Sequence, residues 1–504
     1  MTRTTQTCKK TTGGPAKRGM LPRFKKFAGH AGTEVIKTVQ SKAALPSGQK
    51  IILKPLCHNI FCVFCWDGGS LYECSICPRA VCAKCVAVPA EFEERIKDPD
   101  VHFICPGCHE MRGKGSRSDA MKPYFGFEDC GGTPVLAVPA TIHGHIEMAS
   151  RSQISSNPIL VLHFVLTTLD PVGSPAAMMQ HKLRPYRPKD SLQFHEIIFD
   201  IGTDEKADRH AESMKTLVDR LKLLEYERVE VFIYTHSETV RGDIWGGFAA
   251  DEFAGRGKHR ITISGDPVAY TVDDFFAGLF VGGIEDYVRG ATLWMLICGH
   301  TVRMPNSFKM LKTCVKQYEV EHVFAFDATL FHACLTISLV IVYVRRVLVE
   351  GFEVQEVMHD LLQACPRLAM HSSIIHLHNP TAFRRRQPTM VEYHEGVKRA
   401  PTATASMTVS TYTFFHDSNR PFGNALPYQC SNCKCVRSWK HITSKHIALN
   451  ESKFTCRSCG HTITYTKPEQ SKIVLYSQGQ NGQHTPRSGW LMSLTAEPRA
   501  PVDV

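Results

Sequence analysis

The sequence predicts a multidomain chain in which two small cysteine-rich modules flank a central α/β domain with a mainly parallel sheet. Eight cysteines between Cys62 and Cys108 fall into four C-x2-C pairs, and four more make two such pairs between Cys430 and Cys459. Over two hundred residues between the blocks alternate short apolar runs with amphipathic stretches, as a covered parallel sheet requires. Two sulfurs three positions apart can take adjacent corners of a tetrahedron around one ion, with Zn–S near ~2.3 Å. The first block is too short to bury much core, so metal binding is expected to supply most of its folding free energy.

Residues 1–50 read as a disordered basic arm. They are rich in Thr, Gly and Lys, carry Lys9, Lys10, Lys17, Arg18, Arg23, Lys25 and Lys26, and lack the apolar stretch of a secretory leader. Such an arm suits nucleic-acid contact or nuclear import, or is simply solvated. The expected compartment is intracellular and reducing, where clustered cysteines serve as metal ligands more often than as disulfides.

Residues 51–112 form the first module, with the pattern Cys62-x2-Cys65-x8-Cys74-x2-Cys77-x4-Cys82-x2-Cys85-x19-Cys105-x2-Cys108. The segment from Cys65 to Cys82, including Trp66-Asp67-Gly68-Gly69 and Glu73, resembles the core of a PHD finger. That family usually has histidine at the fifth ligand position; Cys82 stands there in this chain, as in the all-cysteine ADD-type relatives. The resemblance implies cross-bracing, with Cys62, Cys65, Cys82 and Cys85 on one zinc and Cys74, Cys77, Cys105 and Cys108 on the other. It also implies a partner: many such fingers add a protein tail, often a histone tail, as an extra strand. Asp67 and Glu73 resemble the acids that read an unmodified lysine, whereas Trp66 alone makes no aromatic cage. Cys57, His58 and Cys130 match no ligand spacing.

A linker is expected over 113–156, then the central domain over 157–378. Strands are expected at Ile159 to Val165, Glu196 to Phe199, Val229 to Thr235, Thr292 to Ile297, His322 to Phe326 and Ile374 to Leu377. Met214, Leu217, Val218, Leu221 and Leu224 recur at helical spacing, and Thr271 with Asp274 makes a capping box before Phe275, Phe276 and Leu279. Ligands in open α/β sheets gather at the carboxyl ends of strands. Two reactive side chains stand there: His236 after the third run and Cys298 after the fourth.

That order, histidine then cysteine on consecutive core strands, resembles the caspase-like cysteine peptidases, and the match continues past them. A long helix beginning at Ala325-Phe326-Asp327-Ala328 and ending at Val347 to Gly351, followed by a second containing Val354 and Val357 to Leu362, resembles the CHAT branch of the caspase/separase clan. The resemblance implies a His236–Cys298 dyad and, in basic-specific relatives, an acidic substrate pocket that matches Asp327. This chain departs from the family with Ser237-Glu238 after the histidine and Ile297 before the cysteine. The alternative is a scaffold in which His236 is a hydrogen-bonded loop residue and Cys298 a small buried hydrophobe.

A second linker is expected over 379–426, with a basic cluster at Arg384, Arg385 and Arg386. Residues 427–466 look like a zinc ribbon, whose pairs Cys430, Cys433 and Cys456, Cys459 would hold one ion beside a strand at His461 to Tyr465; Cys435 is a spare thiol. A tail, 467–504, follows. Three zinc ions would reduce the formal +11 to about +5. The apolar run from Leu335 to Val344 is too short to span a membrane and reads as a buried helix. The expected function is that of a zinc-binding nuclear protein whose finger recognises a protein tail and whose α/β domain is a scaffold; the alternative is a cysteine endopeptidase. The sequence carries no signal of oligomeric state.

Overall fold

The computed structural model describes residues 14–19, 58, 61–75, 79–109, 123–144, 158–187, 191–222, 226, 228–250, 252–254, 261–263, 265–350, 352–382, 406–442, 450–477 and 488–494. Cys8, Lys9, Lys10, Arg23, Lys25, Lys26, Cys57, Cys77, Leu224 and Arg384 to Arg386 lie outside these residues. The chain divides into two compact units, residues 20–150 and residues 1–19 together with 151–504.

The smaller unit is built from two-stranded pieces. Leu71–Glu73 pairs antiparallel with Ala80–Cys82, Val86–Ala87 with Thr141–Ile142, and His102–Phe103 with Phe127–Glu128. Tyr72, Phe103 and Phe127 pack with ring centroids 5.1–5.5 Å apart and make a small aromatic core. The stretch expected as a linker over 113–156 therefore supplies strands and core side chains, Phe127, Val135 and Leu136 among them, each at most 4% exposed. Strands of two residues are too short for an alternation pattern to register.

The larger unit is organised by one nine-stranded sheet. Its strands, in chain order, are β1 Ile159–Leu166, β2 Leu192–Phe199, β3 Arg228–Tyr234, β4 Thr292–Leu296, β5 His322–Phe326, β6 Ile374–His378, β7 Thr408–His416, β8 Ser471–Ser477 and β9 Ser488–Leu494. They lie in the order β8-β9-β7-β6-β5-β4-β3-β1-β2. Strands β1 to β5 are mutually parallel, whereas β6 to β9 pair antiparallel. Every residue of β1, β4 and β5 is buried, as the continuous apolar runs require of strands covered on both faces.

Helices α1 Pro175–Leu183, α2 Asp204–Leu221, α3 Val272–Leu279 and α4 Pro305–Gln317 lie in the connections between the parallel strands. The first connection runs to one side of β1 and the later ones to the other, so right-handed crossovers put α1 on one face and α2 to α4 on the opposite face. Thr271 caps α3 by accepting from the Asp274 amide at 3.4 Å. The long helix expected from Ala325 begins later: Asp327 and Ala328 lie in a loop, Ala333–Thr336 is a 3-10 turn, and α5 Ile337–Tyr343 runs into a π-helical stretch Val344–Val349. Backbone and side-chain bonds from Asp327 to Ser372 and Ser373 hold that loop out of helix. Next, α6 Val354–Gln363 packs on α5.

The central domain extends past residue 378. Strands β7, β8 and β9 come from the stretches expected as linker and tail, where Thr and Ser interrupt the apolar pattern and only part of β7 and of β9 is buried. Residues 439–466 make a separate three-stranded antiparallel sheet, Trp439–Ile442, Glu451–Cys456 and Thr462–Thr466. Among the described residues, no helix is long and apolar enough to cross a membrane.

Candidate functional site

Three groups of cysteine sulfurs gather within 4.8 Å of one another: Cys62, Cys65, Cys82 and Cys85; Cys74, Cys105 and Cys108; and Cys430, Cys433, Cys456 and Cys459. In the first two groups, pairs distant in sequence share a cluster while neighbouring pairs do not. Each can hold a metal ion.

The backbone prepares these sites. In four of the C-x2-C knuckles the amide four residues after the first cysteine donates to that cysteine's carbonyl: Trp66 to Cys62, His109 to Cys105, Lys434 to Cys430 and Gly460 to Cys456, at 2.9–3.0 Å. In three of them the residue after the second cysteine is left-handed, Trp66 at φ 60°, Lys434 at 61° and Gly460 at 76°. For Trp66 and Lys434 that conformation costs energy, which the closed knuckle must offset. Amides also aim at sulfur, Phe64 at Cys62, Cys105 at Cys74 and Cys108 at Cys105, at 3.3–3.4 Å. Burial, and then the neighbouring sulfurs, push the Cys85 thiol well above its ordinary value, since crowded thiolates need a cation. At the third cluster the Ser438 hydroxyl, 2.9 Å from the Cys456 sulfur, lowers that thiol to about 5. The first and third clusters are four-sulfur sets with no open corner, which suits structural zinc, and the second brings together three sulfurs among the described residues. Cys435 lies beside its cluster without joining it.

The two acids singled out in the finger are exposed. Asp67 lies 3.8 Å from Lys84 Nζ, and Glu73 lies 3.3 Å from His58 Nδ1. His58 also bonds the Cys74 carbonyl at 2.8 Å, which ties Glu73 to the second cysteine cluster. The strand Leu71–Glu73 pairs on one side with Ala80–Cys82 and, among the described residues, has no strand on the other.

In the larger unit, β3 and β4 end in register at Tyr234 and Leu296, and His236 and Cys298 each stand two residues further on. The Ser237 hydroxyl donates to the Cys298 carbonyl at 3.0 Å, joining the two strand ends. The end of β3, which carries His236, borders the point between β1 and β3 where the strand order reverses, the usual place for a ligand crevice, and Cys298 follows one strand further along. His236 is 7% exposed and Cys298 is 3% exposed. Burial lowers the imidazole below its ordinary range, so it is a neutral base near pH 7. Its Nδ1 is buried with no hydrogen-bond partner among the described residues, and its ring stands edge-on to Trp245 at 5.0 Å.

Asp327 takes a structural place. Its Oδ1 accepts from the Ser373 amide at 2.7 Å and the Ser372 hydroxyl at 3.2 Å. The neighbouring Ala328 carbonyl accepts from the Gly299 amide at 2.7 Å, so this loop buttresses the one that follows Cys298. A Cβ at Gly299 would collide with the Asp327 backbone, which explains glycine immediately after the thiol.

Two buried acids near His236 were not legible as site residues. Glu238 and Asp243 are 2% and 1% exposed. Glu238 Oε2 accepts from the Arg241 amide, and Asp243 Oδ2 from Arg241 Nε at 2.8 Å. They close a turn that folds Ile244–Phe248 back against the His236 segment, the Trp245 amide donating to the His236 carbonyl at 3.0 Å. Only the position of Glu238 two residues after His236 hints at this in sequence.

Comparison of the chain with protein-family models, with curated proteins and with solved structures found no match in any of the three.

Proposed function

We propose that this chain is a zinc-binding interaction protein, its finger recognising a basic protein tail in the nucleus and its α/β domain serving as a scaffold. The observation that carries the reading is the grouping of sulfurs, in which cysteines far apart in sequence come within 4.8 Å. Three zinc ions, closed by sulfur, would serve folding rather than reaction chemistry. Tail recognition draws support from the side of Leu71–Glu73 that no strand among the described residues pairs with, and from Asp67 and Glu73, an arrangement suited to adding a strand with a basic side chain. Calorimetric titration of the zinc-loaded protein with unmodified and lysine-methylated histone-tail peptides tests it. Measurable heat for the unmodified tail is expected, and equal, negligible heats for all peptides would leave the finger a purely structural module.

A second reading, a cysteine endopeptidase, draws support from His236 and Cys298 each standing two residues past the last register pair of adjacent parallel strands. In it the Cys298 sulfur attacks the scissile carbonyl while His236 takes the thiol proton and returns it to the leaving amine; water then releases the acyl group. Both side chains are buried, so substrate access requires the strand-end loops to part. A thiol-reactive peptide probe that labels the wild type but not Cys298→Ala would favour this reading over the scaffold.

A further inference from the structure

The basic arm contributes one strand to the folded unit. Lys17–Arg18 pairs parallel with Pro267–Tyr270, itself the central strand of a three-stranded sheet whose other edge is Ile244–Phe248. This is an extended basic segment seated on a strand edge, and each of its positions meets a distinct complement.

Lys17 Nζ lies 2.6 Å from Asp266 Oδ2, in an exposed pair. Arg18 Nε lies 3.4 Å from Asp243 Oδ2, a carboxylate only 1% exposed. The backbone is held at both ends, since Arg241 Nη2 donates to the Ala16 carbonyl at 3.0 Å and the Gly19 amide donates to the Ala269 carbonyl at 2.9 Å. Gly19 itself is required by space. A Cβ there would fall 2.5 Å from the Tyr270 ring and 2.6 Å from Val268. The ring cannot step aside easily, because Tyr270 is 2% exposed and its hydroxyl donates to the Ile201 carbonyl at 2.7 Å.

The receptor side has partners of its own besides the arm. Asp243 keeps Arg241 as a partner at 2.8 Å, and the antiparallel pairing of Ile244–Phe248 with Pro267–Tyr270 holds the edge strand without Lys17 and Arg18. Main-chain bonds give such a site affinity, and the alternating pockets give it sequence preference.

We propose that the edge of Pro267–Tyr270 is a docking strand for extended peptides containing Lys-Arg-Gly, and that this chain's own Ala16–Gly19 occupies it in cis as a tethered competitor. Asp243 selects the arginine, Asp266 favours the preceding lysine, and the Tyr270 ring excludes any side chain at the third position. The site also lies against the His236 segment, because Asp243 accepts from the Glu238 amide at 2.8 Å through its carbonyl. The inference depends on neither reading of function given above.

The test uses the full-length, zinc-loaded chain and a fluorescein-labelled peptide of sequence Gly-Pro-Ala-Lys-Arg-Gly, followed by anisotropy. A Lys17→Glu/Arg18→Glu variant, its fold checked by circular dichroism, is expected to bind the peptide at least about tenfold more tightly than the wild type, because a tethered segment competes at an effective concentration of order millimolar. Adding Asp266→Lys to that variant is expected to weaken binding, and replacing the peptide's terminal glycine by leucine to abolish it. The proposal is overturned if the wild type and the double-glutamate variant bind alike, if that variant folds but binds no peptide, or if the leucine peptide binds as well as its parent. The peptide comparison needs no altered protein, so a variant that fails to fold does not rescue the idea.

Discussion

His236 and Cys298 stand at equal offsets, each two residues past the register pair Tyr234 and Leu296 that ends the parallel ladder of β3 and β4. Both residues lie past the ladder, so the register places their backbones at neighbouring strand ends. The imidazole is neutral because it is buried, and its Nδ1 has no hydrogen-bond partner among the described residues. If it accepts the thiol proton, alkylation of Cys298 by iodoacetamide, followed by mass spectrometry of its peptide, should slow by about a hundredfold in His236→Ala, the low end of general-base effects. An unchanged rate would mark Cys298 as an ordinary buried thiol.

Elemental analysis of the purified protein is expected to give three zinc ions, one for each sulfur cluster. Cys74→Ser should lose one ion and unfold much of residues 61–144, while Cys430→Ser should lose a different one and leave the finger's spectrum intact. Zero or one ion under reducing conditions would contradict the assignment.

Charge reversal at Asp67 or Glu73 should weaken binding of a basic tail only modestly. Both side chains are more than 60% exposed, and exposed ion pairs contribute ~0.2–1 kcal/mol, so each change corresponds to roughly a 1.5- to 5-fold loss measured by calorimetry. A loss of a hundredfold would mean that the acids support the finger's fold through His58 instead.

Stability should depend on pH through three buried groups in the sheet. Burial lowers His163 to about 4 and His376 to about 3, so each binds its proton more readily when unfolded. Their contribution is present above about 6.5, the unfolded value, and is lost as the pH falls towards the folded values. Glu230 behaves oppositely. It accepts from Trp294 Nε1 at 2.9 Å and Tyr343 at 3.0 Å, yet burial raises it to about 7. Its contribution is complete below about 4.5 and is lost as the pH rises through 7. Urea melts should therefore show Glu230→Gln losing less stability between pH 5 and 8 than the wild type. His163→Leu should flatten the limb between pH 6.5 and 4, and because neither ring nitrogen makes a hydrogen bond among the described residues, Glu196 lying 3.8 Å from Nδ1, it should cost little at pH 7.

Packing offers a sharper check on the core. Trp294 is fully buried, stacked on Phe324 at 4.3 Å and on Phe232 at 5.6 Å, and is edge-on to Tyr343. Trp294→Ala should cost about 3–5 kcal/mol in denaturant unfolding. A smaller loss would mean that the stack collapses to fill the space.

The sequence by itself determined the features whose causes are local. C-x2-C spacing identifies metal-binding knuckles, the predominantly apolar runs of β1, β3, β4 and β5 identify covered strands, and Thr271 before Val272-Asp273-Asp274 marks a helix start. Tertiary structure alone decided the rest. It made β6 antiparallel, and it brought β7 to β9 from stretches read as linker and tail into the same sheet. It turned Asp327 into a strand-end anchor, set Trp66 and Lys434 in left-handed conformation, and placed Lys17 and Arg18 on an edge strand more than two hundred residues away. The physical reason is common to all of these. A side-chain pattern records which face of a segment avoids water, but the partner that covers that face or pairs with that edge is chosen by the chain's long-range closure.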